Sequence, residues 1–128
     1  MTFKKKHSPT ESELEILQVL WEKGPSSVRV VNEILYVSRP VGYTTTLKIM
    51  QIMTEKNLVS RDTSSRTHIY NSAVAEGETQ NSLLESFIQK TYRGSAMRLV
   101  MQALGKESAS PEELSELKAL IDKMENNQ

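Results

Sequence analysis

The 128-residue sequence has no cysteine. Disulfide staples and thiolate metal sites are therefore excluded, and the composition suits a reducing compartment, the cytoplasm being the expected one. No apolar run approaches the roughly 18 residues that a transmembrane helix needs. Met1-Thr2-Phe3-Lys4-Lys5-Lys6 has the charge of a secretory leader, but no apolar stretch follows, so it reads as a soluble basic arm. Glycine is scarce, with five residues, and no glycine-rich phosphate loop is present. His7 and His68, the two histidines, fall in the terminal arm and in a hairpin with no cysteine for company. Both read as solvated, and neither a metal nor a cofactor is expected. The Thr44-Thr45-Thr46 run supplies hydroxyls without a neighbouring base, and hydroxyls at a helix start more often cap it or meet phosphate. No nucleophile, base and orienting group can be assembled, so the chain is not expected to be an enzyme.

Aromatic residues are few: Phe3, Trp21, Tyr36, Tyr43, Tyr70, Phe87 and Tyr92. A chain this short buries a limited fraction of its surface, so part of its apolar area is expected to be covered by a second chain. The net charge is zero, yet it is unevenly spread. Residues 1–75 carry ten Lys/Arg against seven Asp/Glu, whereas residues 76–128 carry six against nine. A basic half joined to an acidic half points to a polyanionic partner for the first half alone.

What is present is helical period, broken once. Ser8-Pro9-Thr10-Glu11 and Thr10-Glu11-Ser12-Glu13 both have capping-box spacing; Leu14, Leu17, Leu20 and Trp21 follow at helical intervals until Gly24-Pro25. A second helix starts after a Ser26 or Ser27 cap, carries Val28, Val31, Ile34 and Leu35 inward, and is broken by Arg39-Pro40-Val41-Gly42. The third starts near Tyr43 or Thr44 and runs to about Lys56, with Leu47, Ile49, Met50 and Met53 as its buried face. Asn57 is a left-handed stop. Leu58-Val59-Ser60-Arg61-Asp62 and Thr67-His68-Ile69-Tyr70-Asn71 then read as the strands of a hairpin. Three helices followed by a hairpin is the order of a winged helix-turn-helix.

Ala73 to Gly77 is read as the boundary of that domain. Beyond it Leu83, Leu84, Phe87 and Ile88 line a fourth helix stopping at Gly94, and Leu99, Val100 and Leu104 a short fifth stopping at Gly105. Ser110-Pro111-Glu112-Glu113 starts a sixth, which carries Leu114, Leu117 and Ile121. Three short amphipathic helices have more apolar face than so small a body covers, which predicts packing against a twin. The expected fold is mainly α with a small β-hairpin: a winged helix-turn-helix domain, 1–75, followed by a helical dimerisation region, 76–128.

A helix entering the major groove of double-stranded DNA presents its N-terminal half to base edges and phosphates. Here that half offers Tyr43, Thr44, Thr45 and Lys48, with Gln51 one turn on. Thr meets phosphate or a thymine methyl, Gln suits adenine, and Lys suits guanine or phosphate. Arg61 and Arg66 on the hairpin are placed to follow the backbone or enter the minor groove, and Lys4, Lys5 and Lys6 add sequence-independent attraction. The alternative reading is a winged helix used only as a protein-protein interaction module, without sequence-specific DNA binding.

Three segments carry a family resemblance: residues 10–21, Val41-Gly42-Tyr43-Thr44-Thr45-Thr46-Leu47-Lys48, and Glu55-Lys56-Asn57-Leu58-Val59. With the wing residues Arg61-Asp62 and Arg66-Thr67-His68-Ile69-Tyr70, and Leu99-Val100 ahead of Ser110-Pro111-Glu112-Glu113-Leu114, they resemble the penicillinase-repressor family (the BlaI/MecI/CopY group). The resemblance implies a bacterial homodimeric transcription repressor whose winged helix reads a dyad operator. In penicillinase-type members a membrane sensor-protease is the partner, and it relieves repression by cutting the tail at an Asn-Phe bond. The equivalent stretch here, Leu99-Val100-Met101-Gln102-Ala103-Leu104, lacks that bond, and the cysteine cluster of copper-responsive members is absent. The operator sequence, the regulated genes and the inducing signal are not written in the chain.

Overall fold

The structure is a computed structural model that describes residues 8–106 and 109–128; the expected backbone contacts Lys4, Lys5 and Lys6 lie outside the described residues. Its described elements run α1 (Glu11–Lys23), α2 (Val28–Ser38), α3 (Tyr43–Glu55), β1 (Val59–Asp62), β2 (Ile69–Ser72), α4 (Glu76–Tyr92), α5 (Ala96–Lys106) and α6 (Pro111–Asn126). The chain is mainly α with one antiparallel hairpin, as the winged-helix reading requires. Two compact units divide between Leu83 and Leu84.

In the first unit each helix end has a chemical cause. Of the two possible boxes at α1, the one at Thr10 forms: the Glu13 amide donates to Thr10 Oγ1 (3.2 Å) and the Thr10 amide donates to Glu13 Oε1 (2.9 Å). Gly24, at φ 86°, ends α1 in a region that glycine enters freely. Ser27, not Ser26, caps α2. Helix α3 closes on a left-handed Asn57 at φ 63°. The Leu58 amide donates to the Met53 carbonyl (2.9 Å) and the Asn57 amide to that of Thr54 (3.1 Å), the paired bonds of a Schellman turn.

Helices α1 to α3 and the hairpin base enclose one core. Ile16, Leu17 and Leu20 of α1, Val31 of α2, Met50 and Met53 of α3, and Tyr70 of β2 are almost wholly shielded from water. Burying each such side chain contributes about 1.5–3 kcal/mol before the entropy of ordering is subtracted. The hairpin pairs Val59 with Ser72, Ser60 with Asn71, Arg61 with Tyr70 and Asp62 with Ile69. Ser26 adds a bridge to Tyr70, exchanging both amide bonds at 2.8 and 2.9 Å, which fastens the segment ahead of α2 to the wing. Trp21 Nε1 donates to Ser72 Oγ (2.9 Å) and to the Val74 carbonyl (3.1 Å), tying α1 to the wing's exit.

Two burial expectations on α3 shift. Leu47 and Ile49 flank the core half-buried, and Thr46 takes the fully buried place instead. The cause is helical phase: Thr46, Met50 and Met53 are four and three residues apart and share the inward face.

The second unit is built differently. Ser110 caps α6 in a full capping box with Glu113, and Pro111 occupies the first turn. Phe87 and Tyr92 stand edge-to-face at 6.0 Å, and Tyr92 Oη donates to Gln102 Oε1 (3.2 Å). Neither α5 nor α6 buries a residue among those described. Leu84, Phe87, Val100, Leu104, Leu114 and Ile121 are exposed, and Ile88, Leu99 and Leu117 only half-buried, as is Leu83 at the end of the first unit. Two glycines expected at boundaries are helical: Gly77 lies inside the first turn of α4 and Gly105 inside the last turn of α5. A glycine costs a helix only about 1 kcal/mol, which neighbouring residues absorb.

Candidate nucleic-acid interface

Helix α3 is the second helix of the helix-turn-helix, and a small polar joint sets its angle. Asn32 of α2 donates through Nδ2 to the Val41 carbonyl in the turn and to Thr46 Oγ1 on α3, both at 2.9 Å. Thr46 is fully buried, so an unpaired hydroxyl there would be costly. The far end of α3 is fixed by an ion pair. Lys56 Nζ lies 2.8 Å from Glu13 Oε2, and the Glu13 side chain is almost wholly shielded. Burial alone would raise the Glu13 carboxyl; the Lys56 ammonium, the Thr10 amide and the Thr10 hydroxyl outweigh it and hold it below the usual carboxylate range. One carboxylate therefore serves both the cap of α1 and the end of α3.

With both ends fixed, the outward face of α3 is set by phase. At 3.6 residues per turn, Thr44, Thr45, Lys48, Gln51, Ile52 and Glu55 fall within an arc of about 120°. All six are exposed. The expected contacts Thr44, Thr45, Lys48 and Gln51 are thus brought onto one face, away from the core. Tyr43 is exposed too, but its position at the start of the helix lies off this arc, on the azimuth of Met50. Ile52 and Glu55 complete the face; the sequence pattern places Glu55 off the buried face without counting it as a contact, and Ile52, four on from Lys48, was not singled out.

The wing residues Arg61 and Arg66 are exposed, as is His68. Arg61 sits opposite Tyr70 in the ladder, and Arg66 stands in the loop between the strands. That loop is ordered at its start by Asp62, whose Oδ1 accepts from the Ser64 amide (2.9 Å), a bond that also holds the Asp62 carboxyl below its ordinary range. Among the described residues no three His, Asp or Glu side chains gather as a metal cluster would require. No described helix is long and apolar enough to cross a membrane.

An exposed polar helix face beside a basic hairpin is a common surface, and comparison with known proteins decides what it belongs to. The family model described as penicillinase repressor matches residues 9–123. The chain belongs to the penicillinase-repressor family. Relatives of that family include the methicillin resistance regulatory proteins MecI of Mammaliicoccus sciuri, Staphylococcus aureus (strain N315) and Staphylococcus epidermidis. Each is 24% identical over 119 residues, covering 93% of this chain and 97% of the relative. Penicillinase repressors are DNA-binding transcription regulators and not enzymes, so this chain is a transcriptional repressor. The match takes in both compact units.

Proposed function

We propose that this penicillinase-repressor family member is a cytoplasmic homodimer that binds a dyad operator. In this reading α3 enters the major groove, the 58–71 hairpin acts as the wing, and the helices of 76–128 hold two copies together. The observation that carries it is the exposed arc of Thr44, Thr45, Lys48 and Gln51 on a helix whose opposite face and both ends are fixed. Preset geometry of this kind lowers the ordering cost of binding. Tyr43 reaches the groove from the helix start, Arg61 and Arg66 track the flanking backbone, and Lys4, Lys5 and Lys6 add attraction that salt screens. Membership in a family of DNA-binding regulators weighs against a purely protein-binding wing.

The apolar stripes of α4 to α6 supply the second half of the reading. Leu83, Leu84, Phe87, Ile88, Leu99, Val100, Leu104, Leu114, Leu117 and Ile121 remain open or half-open to water in one chain, and a second copy would cover them. Repression is then lifted when that link is cut by a membrane sensor-protease partner. Residues 99–104, which stand where the Asn-Phe bond of penicillinase-type members would be, lie within α5, so any cut there requires local unwinding.

The experiment is an operator titration at several salt concentrations, with the duplex first selected by this chain from random-sequence DNA. A Thr45→Ala, Lys48→Ala double variant should bind it at least tenfold more weakly, from about 1–3 kcal/mol per lost base contact. If Lys48 meets phosphate, the salt slope falls by about one unit. Unchanged affinity in the folded double variant overturns the assignment.

A further inference from the structure

Ile52 is the apolar member of the α3 arc. It is 37% exposed, whereas Leu47 and Ile49 of the same helix pack half-buried against the core. Part of a branched hydrocarbon therefore stands open to solvent at this position. Phase says where it faces. On the arc Thr45 and Ile52 are seven residues apart and form one edge, while Thr44, Gln51 and Glu55 form the other, with Lys48 between them. The face has a methyl-bearing edge and a polar edge.

Resting on the reading that α3 lies in the major groove, we infer that Ile52 is a specificity-determining residue that reads the C5-methyl group of a thymine. In that groove the methyl is the one apolar feature a base edge presents; guanine, adenine and cytosine offer donors and acceptors that a hydrocarbon leaves unpaired. Isoleucine suits the task because branching at Cβ leaves one dominant χ1 rotamer on a helix, so little order is lost on contact. Ile52 lies about 6 Å along the helix from Lys48, so its thymine falls one to two base pairs from the position facing Lys48.

The test uses the full-length chain on the duplex selected from random-sequence DNA, with each thymine replaced in turn by deoxyuridine, which removes the methyl and nothing else. At one position in each half-site the replacement should weaken wild-type binding about fourfold, from about 0.8 kcal/mol per buried methyl-sized group. Ile52→Ala should bind the parent duplex more weakly and be insensitive to that same replacement, while Ile52→Val keeps the sensitivity. Alanine is the better helix former, and thermal melts confirm that the variants stay folded. Equal losses for Ile52→Ala on thymine and deoxyuridine duplexes would mean a sugar-phosphate contact and overturn the inference. So would an Ile52→Ala chain that binds like wild type; if Lys48→Ala still weakens binding in that case, the groove reading stands without it. If neither variant changes affinity, both readings fall.

Discussion

The two compact units put similar amphipathic helices to opposite ends. In the first, α1 to α3 turn their apolar stripes onto one another and onto Tyr70, so Ile16, Leu17, Val31, Met50 and Met53 have no measurable exposure. In the second, α5 and α6 carry stripes as regular as these and bury no described residue. Periodicity alone thus identifies a face that avoids water without saying whether the same chain covers it. The first unit covers its own apolar faces; the second leaves apolar surface open, of the kind that marks an interaction site.

Removing the second unit should separate the two most sharply. A fragment ending at Leu83 keeps the whole core and should melt cooperatively, yet lose dimerisation. Linked modules gain about 100- to 10,000-fold in avidity, or about 2.7–5.5 kcal/mol, so the fragment should bind a dyad operator more weakly by that amount. Sedimentation and titration read both effects, and a fragment that still dimerises would end the contrast.

Paired leucine variants sharpen it next. Leu17→Ala, at a site with no exposure, should cost about 2–5 kcal/mol of stability at any concentration. Leu120→Ala, at a site 53% exposed in the single chain, should leave the dilute monomer's denaturation midpoint in place and instead raise the dimer dissociation constant. Equal effects on the monomer would mean that α6 already has a partner within its own chain.

The smallest effect belongs to the ion pair that locks α3. Glu13→Gln removes one buried charge opposite a part-exposed Lys56 and should cost about 1–3 kcal/mol. Because the folded carboxyl lies below its ordinary value, its contribution is complete above the unfolded pKa of about 4.3 and is lost as pH falls through the folded one. Acid titration of wild type should therefore show a larger loss of stability below about pH 4.3 than the variant does.

Much of the first unit was legible because its signals are local. The Thr10-Glu13 box, the left-handed Asn57 and the strand order need only neighbours in sequence. What escaped depends on partners far along the chain. Thr46 read as one of three hydroxyls until Asn32, fourteen residues earlier, gave it a buried bond. Ser26 was one of two equivalent caps until its amide paired with Tyr70. The exposure of Lys48 and Gln51 was legible because polarity and phase agree there. That of Ile52 was missed, because an apolar residue stands there on the outward side of the helix.

Trp21 is the single tryptophan of the chain, and its indole is held by Ser72 and Val74 where the wing ends. The protein thus carries a built-in optical probe at one known place. Its emission should shift to the red when the wing base opens to water and stay still when the C-terminal helices part. Ultraviolet excitation of the unlabelled protein can therefore time the loosening of the wing against any dissociation read by sedimentation, and test whether the two events are coupled.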